Sequence, residues 1–275
     1  MRGWIPHAGA RGCRYVLPCS QARRSPPLSH VSHAHQGPPV PGEGGCGRRR
    51  GEPPAPAYPA CVPHVLVALA VALVGTPLAW RWGRSGTYRR PDETAPLPAH
   101  EWLVPAVPAL AAALVWVSRD EPLAAAAATA LLAPVGLLLL AVDADVHRLP
   151  NALTLPFAAA VLALLALAAA TSGQWDDLRR ALVATAVVGG AFVLVSLVLG
   201  SRGIGMGDAK LVLALAPLLG WYGWSTLTIG VYAAFALGGA AALVLLVLRR
   251  VDRATHLAFG PYLVLGAVLA LLVRA

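Results

Sequence analysis

The chain has 275 residues, of which 57% are hydrophobic and 13% charged, with a mean hydropathy of +0.63. That is too little polar surface to clothe a soluble domain of this length, so the composition excludes a soluble globular protein and implies a membrane protein. The formal charge of +9 does not indicate a nucleic-acid partner, because the arginines fall in short clusters beside apolar runs or in the N-terminal tail instead of forming one patch.

Residues 1–62 carry nine glycines, eight arginines and many prolines, and show no apolar periodicity. The expectation is a disordered tail. No apolar stretch follows the early arginines, so it does not read as a signal peptide. Nothing in it contributes to the chemistry below, and an upstream start outside the native protein would account for it. All four cysteines, Cys13, Cys19, Cys46 and Cys61, lie here. They show neither Cys-x-x-Cys spacing nor a partnering histidine pattern, so neither a zinc site nor a disulfide framework is expected.

From residue 63 onward, apolar runs alternate with short polar breaks at about the length that crosses a bilayer. Spans are predicted at 64–80, 102–118, 122–142, 152–171, 181–200, 209–223, 225–248 and 256–273. Residues 63–275 therefore read as an all-α, polytopic integral membrane domain of about eight transmembrane helices. The sixth span is short and contains Pro217, which suggests a tilted or partly re-entrant segment. The alanines Ala124 to Ala128 and the pair Gly238-Gly239 suit close helix packing in lipid. Trp80, Trp82, Trp102, Trp116, Trp221 and Trp224 lie near span ends, as an aromatic belt would.

Basic residues fix the expected orientation. One set of loops carries Arg81, Arg84, Arg89, Arg90, Arg148, Arg202, Lys210, Arg249, Arg250 and Arg253, whereas the other carries Arg119, Arg179, Arg180 and Arg274. The richer set belongs on the cytoplasmic face.

Two acidic motifs stand at that face. Asp143 follows the run Leu137 to Val142, in the stretch Asp143-Ala144-Asp145-Val146-His147-Arg148-Leu149-Pro150-Asn151; Asp208 closes Gly203-Ile204-Gly205-Met206-Gly207-Asp208. Carboxylates at a membrane edge are costly unless they pair, bind a metal or exchange protons. Two sharing one site do not both ionise readily, so the pair holds one proton and can activate water with one member while protonating a carbonyl with the other. Asp145 competes with Asp143 for the first role. Residues two apart on a helix project about 200° apart, so both cannot face Asp208. Gly203, Gly205 and Gly207 clear space for a close backbone or an extended substrate. A phosphate-loop reading fails for lack of a Gly-Lys-Ser/Thr ending. His147 and Arg148 reach for the interface, Pro150 and Asn151 bend the chain into the next helix, and Lys210 either tunes Asp208 or anchors its helix end.

The ordered motifs carry a resemblance. Asp143 with Leu149-Pro150-Asn151-Ala152-Leu153-Thr154, then Gly205-Met206-Gly207-Asp208-Ala209-Lys210, then Phe259-Gly260-Pro261-Tyr262 in the last span, closely resemble the type IV prepilin peptidases. These are the A24 aspartic peptidases of the GxGD class, and the likeness covers roughly residues 64–275. It implies Asp143 and Asp208 as the catalytic acids, Asp143 standing seven residues before the motif proline. It further implies an aspartic endopeptidase of the cell inner (cytoplasmic) membrane that removes the short basic leader of prepilins or pseudopilins at the cytoplasmic face, in type IV pilus or secretion systems. Gly205, Gly207, Asp145 and Lys210 would support the substrate, with Asp145 attracting the basic leader. No metal or other cofactor is expected for proteolysis. Many members also N-methylate the new terminus with S-adenosylmethionine and carry paired Cys-x-x-Cys motifs in a large first loop; here that loop is the short, cysteine-free stretch 81–101, which weakens the expectation of methylation. Two other classes fit less well: a transferase whose Asp143, Asp145 and Asp208 hold magnesium against a lipid diphosphate, and an ion-coupled transporter. The expected partners are the prepilin substrate and the lipid bilayer, with no nucleic acid; the oligomeric state is not legible.

Overall fold

A computed structural model describes residues 62–91, 93, 96–199, 205–248 and 259–274. The four cysteines, Gly203, Arg202, Arg249, Arg250, Arg253 and the expected tail lie outside them, except that Val62 opens the first helix. Among the described residues the backbone forms eight helical rods and no strand. They are α1 (Val62–Ser85), α2 (Leu103–Val117), α3 (Leu123–Val146), α4 (Asn151–Ser172), α5 (Trp175–Val198), α6 (Met206–Tyr222), α7 (Trp224–Val247) and α8 (Gly260–Val273). The all-α reading holds, and each predicted span falls on one rod. Five of them, α1, α3, α4, α5 and α7, are long and apolar enough to cross a membrane. With 15, 17 and 14 residues, α2, α6 and α8 fall short of the roughly 20 that a crossing needs, so the expected count of about eight goes beyond what helix length supports.

Three rods carry a π-helical turn: Val71–Gly75 in α1, Leu132–Gly136 in α3 and Thr185–Gly189 in α5. In α3 the turn contains Pro134, whose ring has no N–H and crowds the preceding turn of a regular helix; the wider π-turn relieves that crowding. Gly75 packs directly on it, since a Cβ at Gly75 would lie 2.9 Å from Pro134 Cγ.

The short α6 is the centre of the bundle. Ala214 to Trp221 are all buried, and α4, α5, α7 and α8 pack around them. Its helix runs unbroken through Pro217. Small residues allow the tightest crossing, between α7 and α8: a Cβ at Gly266 would meet Gly230 O at 2.5 Å and Ala234 N at 2.7 Å. In lipid, where apolar side chains gain little by leaving the acyl chains, such backbone proximity is what holds helices together. Gly238 joins this stripe by packing against Phe259, whereas Gly239 meets nothing within 4 Å.

At the end of the bundle where α3 begins, Glu121 gathers several rods. Its carboxylate accepts from Arg274 at 3.0 Å and from the Trp221 indole at 3.3 Å, and its carbonyl lies 3.1 Å from the His64 ring. Trp221 is therefore a correction to the expected aromatic belt: it is 1% exposed and serves this polar junction, while Trp116, Trp224 and Trp102 are exposed at rod ends.

Candidate active site

The opposite end of the bundle collects the C-terminal turn of α3 and the N-termini of α4, α6 and α8. α3 runs one turn beyond the predicted limit at Val142, so Asp143 and Asp145 are both helical. His147 ends it in the left-handed conformation (φ 51°, ψ 35°), donating its backbone N–H to Asp143 O at 2.9 Å. Pro150 is extended and starts α4 at Asn151, as the bend reading expects. α6 starts after Gly205, also extended (φ −60°, ψ 142°), and Asp208 sits in its first turn, where a carboxylate suits the partial positive charge of a helix N-terminus.

Asp143 is 3% exposed, and its Oδ2 accepts the Gly260 backbone N–H at 3.0 Å, across from the first turn of α8. Only glycine fits there: a Cβ at Gly260 would lie 2.6 Å from that oxygen. Asp208 is half-buried, with Gly205 lying against its carboxylate: a Cβ there would stand 3.2 Å from Asp208 Oδ2. Leu149 is the spacer between the two rods. A Cβ at Gly207 would come within 3.1 Å of Leu149 Cβ, and one at Gly260 within 3.4 Å of Leu149 Cδ1. So Gly207 and Gly260 let α6 and α8 close on the same leucine, and Gly205 is exposed beside Asp208. Lys210, for which two roles were open, donates to Asn151 Oδ1 at 2.8 Å and ties α6 to the start of α4.

A family model described as the type IV leader peptidase family matches residues 130–273, a stretch that includes Asp143, Asp208 and Gly260. The chain belongs to that family. A Pseudomonas aeruginosa prepilin leader peptidase/N-methyltransferase is 37% identical over 136 residues, 48% of this chain and 44% of the relative. One from Stutzerimonas stutzeri is 35% identical over the same shares. The protein of that name from Aeromonas hydrophila is 31% identical over 213 residues, 77% of this chain and 70% of the relative. The chain thus spans less than half the length of the first two relatives and about two thirds of the third. No solved structure matches it.

In this leader-peptidase family member, Asp145 is turned away from the Asp143–Asp208 pair. Arg89 grips it with Nη2 to Oδ1 at 2.6 Å and Nε to Oδ2 at 2.8 Å, and the Tyr88 hydroxyl donates to Oδ2 at 2.9 Å. The expected role of Asp145 as a lure for a basic leader therefore meets a carboxylate whose charge is already matched within the chain. Arg148 likewise pairs with Glu93. Sequence reasoning missed Tyr88, Arg89, Glu93 and His100, which together bind the connection between α1 and α2 to the end of α3. No local signal marks them, because the partners that tie them to the end of α3, Asp145 and Arg148, lie more than fifty residues away.

His100 is 2% exposed. The Tyr88 proton is committed to Asp145, so His100 donates from Nε2 to the Tyr88 oxygen, 3.2 Å away. Burial pushes Tyr88 up to about 12, with the hydrogen bond to Asp145 adding to it. Burial also holds His100 below its ordinary range; the Asp145 charge opposes this and the Arg89 charge assists it. A base with a depressed folded pKa takes up protons more readily when unfolded, so its stabilising effect is present at neutral pH and is lost as pH falls through about 6.5. The unfolding midpoint of the detergent-solubilised chain is expected to drop on acidification through that range, and to drop less in His100→Gln. An equal drop in both would remove His100 as the titrating group.

Proposed function

We propose that the chain is an intramembrane aspartic endopeptidase that removes the leader of a type IV prepilin or pseudopilin, with Asp143 and Asp208 as its acid pair. What supports this most is that the two rods bearing or holding the acids close on the same residue, Leu149, through Gly207 beside Asp208 and through Gly260 against Asp143, with Asp143 nearly fully buried. The relatives bear the name of that activity. One acid of the pair is ionised and takes a proton from water; the other is protonated and gives its proton to the scissile carbonyl oxygen as water adds to the carbon. Collapse of the resulting diol reverses the proton traffic and releases the new amino terminus. The proton belongs to the pair and not to either residue. The N-terminus of α8 directs the Gly260 N–H at Asp143, and Asp208 lies in the first turn of α6, which offsets part of the cost of charge at this depth.

The site opens on the cytoplasmic face in this reading, because Arg81, Arg84, Arg89, Arg90, Arg148 and Lys210 share its end of the bundle. Each of the four arginines at the other end lies against an acid: Arg119 by Asp120, Arg179 by Asp176, Arg180 by Asp177 and Arg274 by Glu121. The lipid-diphosphate transferase draws less support, since it needs Asp145 to converge with Asp143 and Asp208, and Asp145 is held by Arg89 and Tyr88.

The test is co-expression with a prepilin in membranes and mass spectrometry of the mature substrate. Loss of the leader at a single bond supports the proposal, and an intact substrate beside abundant enzyme contradicts it. The same spectrum reads N-methylation, the second activity in the relatives' names, as a methyl increment on the new terminus.

A further inference from the structure

We infer that the connection after α1, through its described residues 86–91, 93 and 96–101, acts as a strap that orients Asp143, with Arg89 and Tyr88 as positioning residues working through Asp145. This rests on the proposed role of Asp143. α3 ends in a left-handed histidine whose N–H caps the Asp143 carbonyl, which closes the backbone of the last turn but leaves the direction of the Asp143 side chain to its own contacts. Asp143 and Asp145 share that turn and project to opposite sides of it. On one side the Gly260 N–H holds Asp143 at 3.0 Å. On the other, Asp145 receives three hydrogen bonds of 2.6 to 2.9 Å from Arg89 and Tyr88. The two attachments oppose each other across the helix axis, so together they fix its rotation.

The strap is itself anchored. Tyr88 stacks on Trp82 of α1 with ring centroids 5.6 Å apart, Gly86 turns left-handed (φ 63°) against Leu97, and Arg89 N–H donates to Gly86 O at 2.9 Å. Past the end of α3, Arg148 binds Glu93. The Arg89 and Asp145 side chains are only 9% and 11% exposed. A pair so buried adds little net stability, because desolvation opposes its attraction; what it supplies is a defined geometry. Acid–base constellations work only within about 0.5 Å and 10–20° of the productive arrangement, and a misplacement of about 1 Å costs on the order of 10²-fold in rate.

The experiment measures leader removal by the full chain in detergent as a double-mutant cycle of Arg89→Gln and Asp145→Asn. Each single variant is expected to lower kcat roughly tenfold with KM held within about twofold, and the double variant to be no slower than the slower single. Tyr88→Phe, which removes one hydrogen bond, should lose less in the same direction, and it carries the test if Arg89→Gln does not accumulate. Wild-type kcat in these variants, strictly multiplicative losses, or losses that only follow the amount of folded protein would each overturn the inference. Asp143→Asn in the same assay keeps the two levels apart. If it is inactive while Arg89→Gln is normal, the strap fails alone; if it cleaves, the acid-pair reading fails.

Discussion

Asp143→Asn and Asp208→Asn are each expected to leave the prepilin uncleaved in membranes, with kcat lowered by roughly 10²–10⁴-fold, the range that a positioned acid or base contributes. Asparagine keeps the shape of either side chain but neither takes nor gives the proton. The two losses do not multiply, because a pair with one member disabled has no function left for the second change to remove. Fold and amount of protein stay normal, since the Gly260 N–H still finds an amide oxygen at position 143. Asp145→Asn is the informative companion. It loosens the strap and slows cleavage partially, whereas inactivity of Asp145→Asn beside an active Asp143→Asn would move the first acid by two positions.

Gly260→Ala is expected to be nearly as damaging by another route. The added methyl would lie 2.6 Å from Asp143 Oδ2 and 3.1 Å from its Cγ, so the carboxylate must swing away and give up its backbone donor. A displacement of that size lowers kcat by on the order of 10²-fold. The stability cost is that of a modest overpacking, about 1–3 kcal/mol. Gly205→Ala provides the contrast: its methyl would stand 3.2 Å from Asp208 Oδ2, at an exposed position with an unstrained backbone, and a much smaller loss is expected. Kinetics together with unfolding midpoints for both variants check this. Equal losses of activity in the two would contradict the special place given to Gly260.

The rods were legible because lipid exposure demands long apolar runs, and hydropathy alone locates those. Their ends were less so. α5 starts at Trp175, ahead of the predicted 181, because Asp176, Asp177, Arg179 and Arg180 form a polar first turn that an apolar window does not recognise as helix. α3 runs past the predicted limit at Val142 for the same reason, its carboxylates being satisfied by Gly260 of α8 and by Arg89 from the connection after α1. The proposed acid pair rests on the ordered motifs that carry the resemblance, since the residues alone leave Asp143 and Asp145 open for the first position. The reason for Gly260 was not, since it lies in a contact between residues 117 positions apart. The strap was the least legible part: Arg89 reads as one more topological arginine until Asp145 is seen beside it. The two readings left open for Lys210 are separated by the same kind of information, a hydrogen bond to Asn151 far away along the chain.

The most direct measurement is proximity of the two acids in the membrane. Cysteines replace Asp143 and Asp208 in a chain whose Cys13, Cys19, Cys46 and Cys61 are changed to serine, and a short bifunctional thiol reagent is applied. The predicted result is a covalent link that keeps the two halves of the chain together after cleavage between Asp176 and Arg180. Separate halves, with each cysteine modified individually by the same reagent, would contradict a shared site.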